Sequence, residues 1–237
     1  MKAAGNVTRL FHEGAEISSE LADQMMIELG GFILYMIDRH LEKQSPRVHK
    51  FLYEHDIPKD KIDILALNLA LAEHFSRGEV GHAKRYMKLY GKKGPHQTFT
   101  TSWLRECERA LPKFYYVADP LDGDVIRVLD LESKTYRFVY VNDSEAEKAQ
   151  KGALLAGMLI PLGKGLHTTF FDFYHFEYVE DILAVIAKAS YQDHKQHSSP
   201  YEAFFLALSE TLQMDRHFLG IDLSSPIKQP NIAPIPF

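Results

Sequence analysis

The apolar residues of this chain change their spacing twice. Up to Pro112 they recur at helical intervals, from Lys113 to about Phe176 at every second position, and beyond Tyr178 at helical intervals again. This switch constrains the fold more than any other feature. A period of 2 puts alternate side chains on opposite faces of a strand, whereas a period near 3.6 gathers them on one face of a helix. The expectation is an α+β protein with a helical N-terminal half, a small bent antiparallel β-sheet or barrel in the middle, and C-terminal helices packed back. Four regions follow: a helical part at 1–101, the sheet module with a leading helix at 102–176, C-terminal helices at 177–220, and an extended tail at 221–237. Four prolines fall in the last twelve residues of that tail.

In the first region Leu21, Met25, Leu29, Phe32, Met36 and Leu41 fall close to one helical stripe. Ser18 or Ser19 caps it and Ser45-Pro46 closes it. Gly30-Gly31 in its middle predicts a kink or a close helix crossing, since a glycine there costs about 1 kcal/mol relative to alanine. A short helix runs from Pro46 to about Glu54 and a longer one opens at Pro58. A helical hairpin then turns around Ser76-Arg77-Gly78, with spacings that echo a single tetratricopeptide unit; a solenoid needs about three such units. "GKKGPHQTFTTS" (91–102) reads as a linker, and Ser102 as the cap of a helix whose stripe of Leu104, Cys107 and Leu111 turns the thiol inward.

Five strands are expected after Pro112. They are 113–119, the hairpin "DVIRVLDLESKTYRFVYV" (124–141) following a turn at Asp122-Gly123, "ALLAGMLIPLG", and "LHTTFFDFYHF". In the second hairpin strand Tyr136, Phe138 and Tyr140 share one face, and Arg137, Val139 and Val141 the other. The expected core comprises Leu29, Phe32, Leu67, Leu71, Trp103, Leu111, Ile126, Val128, Phe138, Leu159, Ile182, Ile186 and Phe205.

From Trp103 to about Phe176, "LRECERALPKFYYVADPLDGDVIRVLDLESKTYRFVYV" followed by "GALLAGMLIPLG" resembles a small barrel module of uncharacterised bacterial proteins that often end in the cysteine-rich SEC-C metal-binding motif. The resemblance covers about a third of the chain, implies a fold, and brings no catalytic residue. Two departures matter. No cysteine follows residue 107, which removes the metal motif, and Ser133-Lys134 stands where the module has a Thr-Gly turn. A glycine tolerates positive φ there at no cost, where lysine does not, so a different or mildly strained turn is expected.

Composition narrows the function classes. At 237 residues and 46% hydrophobic the chain can bury a large core, and its apolar runs are shorter than the roughly 20 residues of a membrane-spanning helix. Residues 1–14 show no apolar signal core, so a cytoplasmic protein without membrane association is expected. The one cysteine excludes an internal disulfide and a cysteine-based zinc cluster within the chain. Net charge is −5, yet residues 77–113 hold nine of the 27 Lys/Arg and three of the 32 Asp/Glu. Lys84, Arg85, Lys88, Lys92 and Lys93 form the candidate surface for an anionic partner, which includes the acidic segment "EYVED" of the same chain.

No motif for nucleotide binding or nucleophilic catalysis is present: there is no Walker loop, no G-x-G-x-x-G after a strand and no G-x-S-x-G elbow. "PLGKGLH" joins two strands and reads as a turn. His194 and His197 are one helical turn apart, but a third ligand is lacking in the sequence around them, and a cationic histidine at a helix C-terminus is favourable without a metal. Asp172 and His175 point to opposite faces of an extended strand. The aromatic run 169–179 suits a strand covered on both sides better than a base-stacking platform. The resulting expectation is a non-enzymatic binding or scaffold protein acting through protein–protein contacts or self-association, with no cofactor, no metal and no catalytic residue. Two alternatives stand beside it: nucleic-acid binding through the basic helix 82–93, and a hydrolase whose His/Asp site is assembled from distant segments such as those of His82, His96 and His167.

Overall fold

The computed structural model describes residue 11 and residues 14–41, 46–77, 81–121, 124–141 and 149–220. The turn residues Gly78 and Asp122-Gly123, the helix-closing Ser45, most of the connector after β3 and the proline-rich tail lie outside the described residues.

Five helices come first: α1 (Ser19–Met36), α2 (Pro46–Glu54), α3 (Ile62–Ser76), α4 (His82–Leu89) and α5 (Gln97–Cys107). Ser18 caps α1, its side chain accepting from the Leu21 N–H at 3.3 Å. The helix widens into a π-helical turn at Ile37–Leu41 before it stops. The helix expected to open at Pro58 starts four residues later, at Ile62, because Pro58 sits in a preceding turn closed by the Lys61 N–H on its carbonyl. Part of the expected linker is helical, because α5 begins at Gln97 and Ser102 lies inside it. α4 packs chiefly against α5 and α1.

Seven strands follow: β1 (Lys113–Pro120), β2 (Val125–Asp130), β3 (Thr135–Tyr140), β4 (Leu154–Gly157), β5 (Leu159–Gly163), β6 (Leu166–Thr169) and β7 (Tyr174–His175). They form one curled half-barrel sheet in the order β5-β6-β3-β2-β1-β4-β7. The chain is therefore α+β, with helices flanking the sheet. Two of the five expected strands are broken, one at Met158 and the other across 170–173, which gives seven. The sheet is also not wholly antiparallel, since β3 and β6 run parallel through Phe138 and Leu166.

Alternation along the strands divides the sheet's two faces. Tyr115, Val117, Ile126, Val128, Val139 and Leu155 pack together on one face. Phe114, Leu154, Ala156 and Ile160 on the other join the helices in a single large core. Trp103 locks α5 to β5, fully buried, with its indole N–H on the Pro161 carbonyl at 2.6 Å. The C-terminal helices α6 (Asp181–Lys195) and α7 (Pro200–Phe218) pack on each other and back onto the core. Arg47 of α2 grips Glu202 of α7 with two bonds of 2.7 and 2.5 Å.

Seven of the thirteen expected core residues are buried, namely Leu29, Phe32, Leu71, Trp103, Ile126, Val128 and Phe205. Leu67, Leu111, Leu159 and Ile186 are half-buried. Phe138 and Ile182 are corrections, at 45% and 44% exposed. Register explains the first: Val139 pairs with Ile126 on the packed face, so Tyr136 and Phe138 turn outward, with Arg127 lying over the Tyr136 ring. A one-residue shift of the stripe explains the second, because α6 buries Leu183, Ala184 and Ala187 instead.

Candidate functional site

Three histidines from three separate elements meet where the helical hairpin turns. His40 lies in the π-helical turn after α1, His74 in the last turn of α3, and His82 is the first residue of α4. π-Turns inside helices are frequent at functional sites, since the extra residue rotates the following side chains. The ring centroids stand 4.8 Å (His40–His74), 4.5 Å (His40–His82) and 4.7 Å (His74–His82) apart. One ring nitrogen from each lies within 4.8 Å of the others. The Nε2 atoms of His74 and His82 are hydrogen-bonded to each other at 3.1 Å, one ring donating and the other accepting.

That spacing suits a metal ion. Two imidazole nitrogens bound tetrahedrally at about 2.0–2.1 Å stand about 3.3–3.4 Å apart. His74 and His82 are already near this separation, and both are buried. His40, the more exposed of the three, closes the set with a shift of about 1.5 Å at most, taking 4.8 Å as the widest gap. Three imidazoles are a borderline-soft donor set suited to zinc, nickel, cobalt or copper, and a three-ligand set leaves a fourth position for water or a substrate atom.

The framework around the three rings is tightly tied. Gly81 opens α4 at φ 101°, a conformation that glycine adopts without strain. The buried Glu108, just past the end of α5, reaches the exposed N–H groups of that helix start and accepts from the Ala83 N–H at 3.0 Å. Burial pushes its carboxyl pKa up, against the pull of the backbone N–H groups of Ala83, His82 and Gly81. One turn along α4, Tyr86 donates to the buried Glu28 of α1 at 2.9 Å, and the second oxygen of Glu28 takes the Lys92 N–H at 2.7 Å. Burial first and the Glu28 carboxylate second raise the Tyr86 hydroxyl pKa, so it stays a donor. Gly31 gives α4 room, because a Cβ there would come within 2.2 Å of the Tyr86 oxygen. Gly30-Gly31 thus marks a close crossing, one of the two outcomes that the glycine pair predicts.

The other candidates disperse. His82 joins His40 and His74, while His96 opens α5 and His167 on β6 sets its Nδ1 3.1 Å from the Gly165 carbonyl. His194 pairs with Glu210 at 2.9 Å. Cys107 is fully buried, and burial raises its thiol pKa. Lys84, Arg85, Lys88, Lys92 and Lys93 are all exposed and form no ion pair among the described residues. The segment "EYVED" is engaged elsewhere, Glu177 beside Lys61 at 3.8 Å and Asp181 with the Tyr116 hydroxyl at 2.6 Å. His40 escapes a sequence reading because no ligand lies near it along the chain, and His74 because it reads alone as an ordinary residue of α3. The available signal is that His74 and His82 flank one short turn.

No helix among the described residues is long and apolar enough to cross a membrane. Comparison with protein-family models, curated proteins and solved structures finds no match.

Proposed function

We propose that this chain is a metal-binding protein for a divalent ion of the zinc class, held by His40, His74 and His82 with a fourth position open. One observation carries the reading: three imidazole nitrogens from three separate elements converge within 4.8 Å. Each neutral imidazole offers a lone pair, and a cation at their centre removes the cost of crowding three basic groups together. The test is the metal content of the purified, zinc-reconstituted chain by mass spectrometry. The expectation is about one zinc per chain, falling below about one tenth in His74→Ala and His82→Ala variants that keep their circular dichroism. Retention of full zinc by both variants, or no zinc on the parent chain, overturns the proposal.

A second reading, a binding protein acting through a protein partner, is supported by a different observation. A groove of about 910 Å³ runs between α1, the start of α3 and the segment 168–175, with Met26, Ile33, Ile64, Leu67 and Phe171 beside the polar Asp60, Lys61, Asp63 and Asp172. Ile27 and Leu34, on the same helix α1, are 74% and 68% exposed. Exposed apolar residues beside a groove with a polar rim are a common form of interaction site. Substituting Ile33 and Leu34 by Ser and measuring self-association by analytical ultracentrifugation tests the self-association arm.

A further inference from the structure

Resting on the partner reading above and independent of the metal, we infer that the groove beside α1 is the docking site of the chain's own proline-rich segment 221–237. Gly30 is the observation that calls for an occupant. Its neighbour Gly31 makes way for Tyr86, but beyond the helix's own backbone a Cβ built at Gly30 meets no atom within 4 Å. Gly30 lies in the groove wall between Met26 and Ile33, and Ile27 and Leu34 stand exposed on the same helix face. A glycine in mid-helix weakens the helix, and here nothing in the described fold needs it. Its missing side chain lets a further segment of chain lie close against α1.

The segment starts close to one end of this groove. Gly220, at φ 72°, turns the chain out of α7. In the last turn of that helix the Asp215 carboxylate accepts from the Tyr178 N–H at 2.8 Å, and the Phe218 and Tyr178 rings stack with centroids 4.8 Å apart. Tyr178 is three residues, at most about 11 Å of chain, from the groove residue His175. Seventeen residues follow Gly220, and at about 3.1 Å each they span about 53 Å as a polyproline helix. The α1 wall from Met26 to Ile33 is about 10 Å long, so three or four of them fill it after the approach. Chemistry matches as well as length. The segment carries Pro226, Pro230, Pro234 and Pro236 with Ile232 and Ile235 among them, and the groove presents Phe170, Phe171, Phe173 and Tyr174. Aromatic-lined grooves take proline-rich chains because these are extended before they bind and lose little entropy. Lys228 is the segment's one cation, and Asp60 and Asp63 stand exposed at the groove with no ion pair among the described residues. A tethered segment reaches a local concentration on the order of 1 mM, so even weak docking fills the groove. Held there it covers the apolar face of α1, and a protein partner binds by displacing it.

Fluorescence anisotropy of a labelled synthetic peptide with the sequence of 221–237, titrated with the whole chain in a chelating buffer, tests this. The parent chain should bind the peptide about tenfold more weakly than a variant carrying Ile232→Asp and Ile235→Asp, whose own tail no longer competes. That factor follows from a peptide Kd of about 100 μM against a local concentration of about 1 mM. Adding Gly30→Leu to the tail variant should weaken peptide binding at least tenfold without lowering the thermal unfolding midpoint, because leucine favours the helix and its Cβ meets open space. Lys228→Glu in the peptide should weaken binding a few-fold, and by less as salt rises. Equal binding by the parent and the tail variant, or binding that survives Gly30→Leu, overturns the inference. Sedimentation velocity of the parent and Gly30→Leu chains separates the other outcomes. A parent dimer that Gly30→Leu splits puts a second copy in the groove, which overturns the tail and leaves the partner reading standing. A monomeric parent, with no peptide binding to the tail variant, overturns both this inference and the self-association arm of that reading.

Discussion

Two polar clusters in this molecule are organised in opposite ways. Where the β2–β3 turn meets α6, four charges face their opposites. Lys113 lies 3.0 Å from Asp130 and 2.8 Å from Glu132, and Lys195 also reaches Glu132. The second oxygen of Asp130 takes the N–H groups of Glu132 and Ser133 at 2.9 and 3.0 Å. Such a network is complete within the chain and ties a strand, a turn and a helix together. Among α1, α3 and α4 the three converging groups are all imidazoles, alike in chemistry and alike in the charge they would carry. Three imidazoles converging on one point have the geometry of metal ligands, and this is why the second cluster is assigned a ligand and the first a structural role.

The comparison can be broken at either end. The largest effect is expected from Asp130→Ala, which strips Lys113 and two turn N–H groups of a buried partner and should cost about 3 kcal/mol in urea unfolding. Zinc binding should survive in the folded fraction; its loss would show that the two clusters are not independent. Next, free zinc at 100-fold over its dissociation constant should stabilise the parent chain by about 2.7 kcal/mol and leave His74→Ala unchanged, as read by thermal unfolding.

Acid should separate the clusters further, in the zinc-free chain. Burial alone would raise the carboxyls of Asp130 and Glu132, but the Ser133 N–H and Lys113 on one, and Lys113 and Lys195 on the other, hold both below the ordinary carboxylate range. Their folded values therefore lie below their unfolded ones. The stability they contribute is complete above the unfolded value of about 4 and is lost as pH falls through the folded value. Asp130→Asn should flatten that acid limb; an unchanged limb would remove the network from the account. The smallest effect concerns the same turn, where Lys134 holds φ at 58°. Lys134→Gly should raise stability by about 0.5–1 kcal/mol by relieving a left-handed conformation.

The fold was more legible than the site, for a physical reason. The change of period at Pro112, the Ser18 cap, the inward thiol of Cys107 and the pairing of β2 with β3 are all local in sequence, and each can be read from side-chain spacing. The breaks at Met158 and 170–173 and the parallel β3–β6 pair depend on how the sheet curls, which spacing does not encode. Phe138 misled because size suggested burial while register put the smaller Val139 inside. His40 and His74 are 34 residues apart and each reads alone as an ordinary helix residue, so only the packing of α1, α3 and α4 makes them a pair. Of the cluster, His82 alone stood among the sequence candidates, and the partners named with it, His96 and His167, are not the ones it meets.

X-ray absorption at the zinc edge of the reconstituted chain tests the central claim most directly. The account predicts three nitrogen scatterers at about 2.0–2.1 Å with the outer-shell pattern of imidazole rings and one further oxygen, in a four-coordinate shell. A sulfur scatterer near 2.3 Å, or an all-oxygen shell without imidazole, would contradict it.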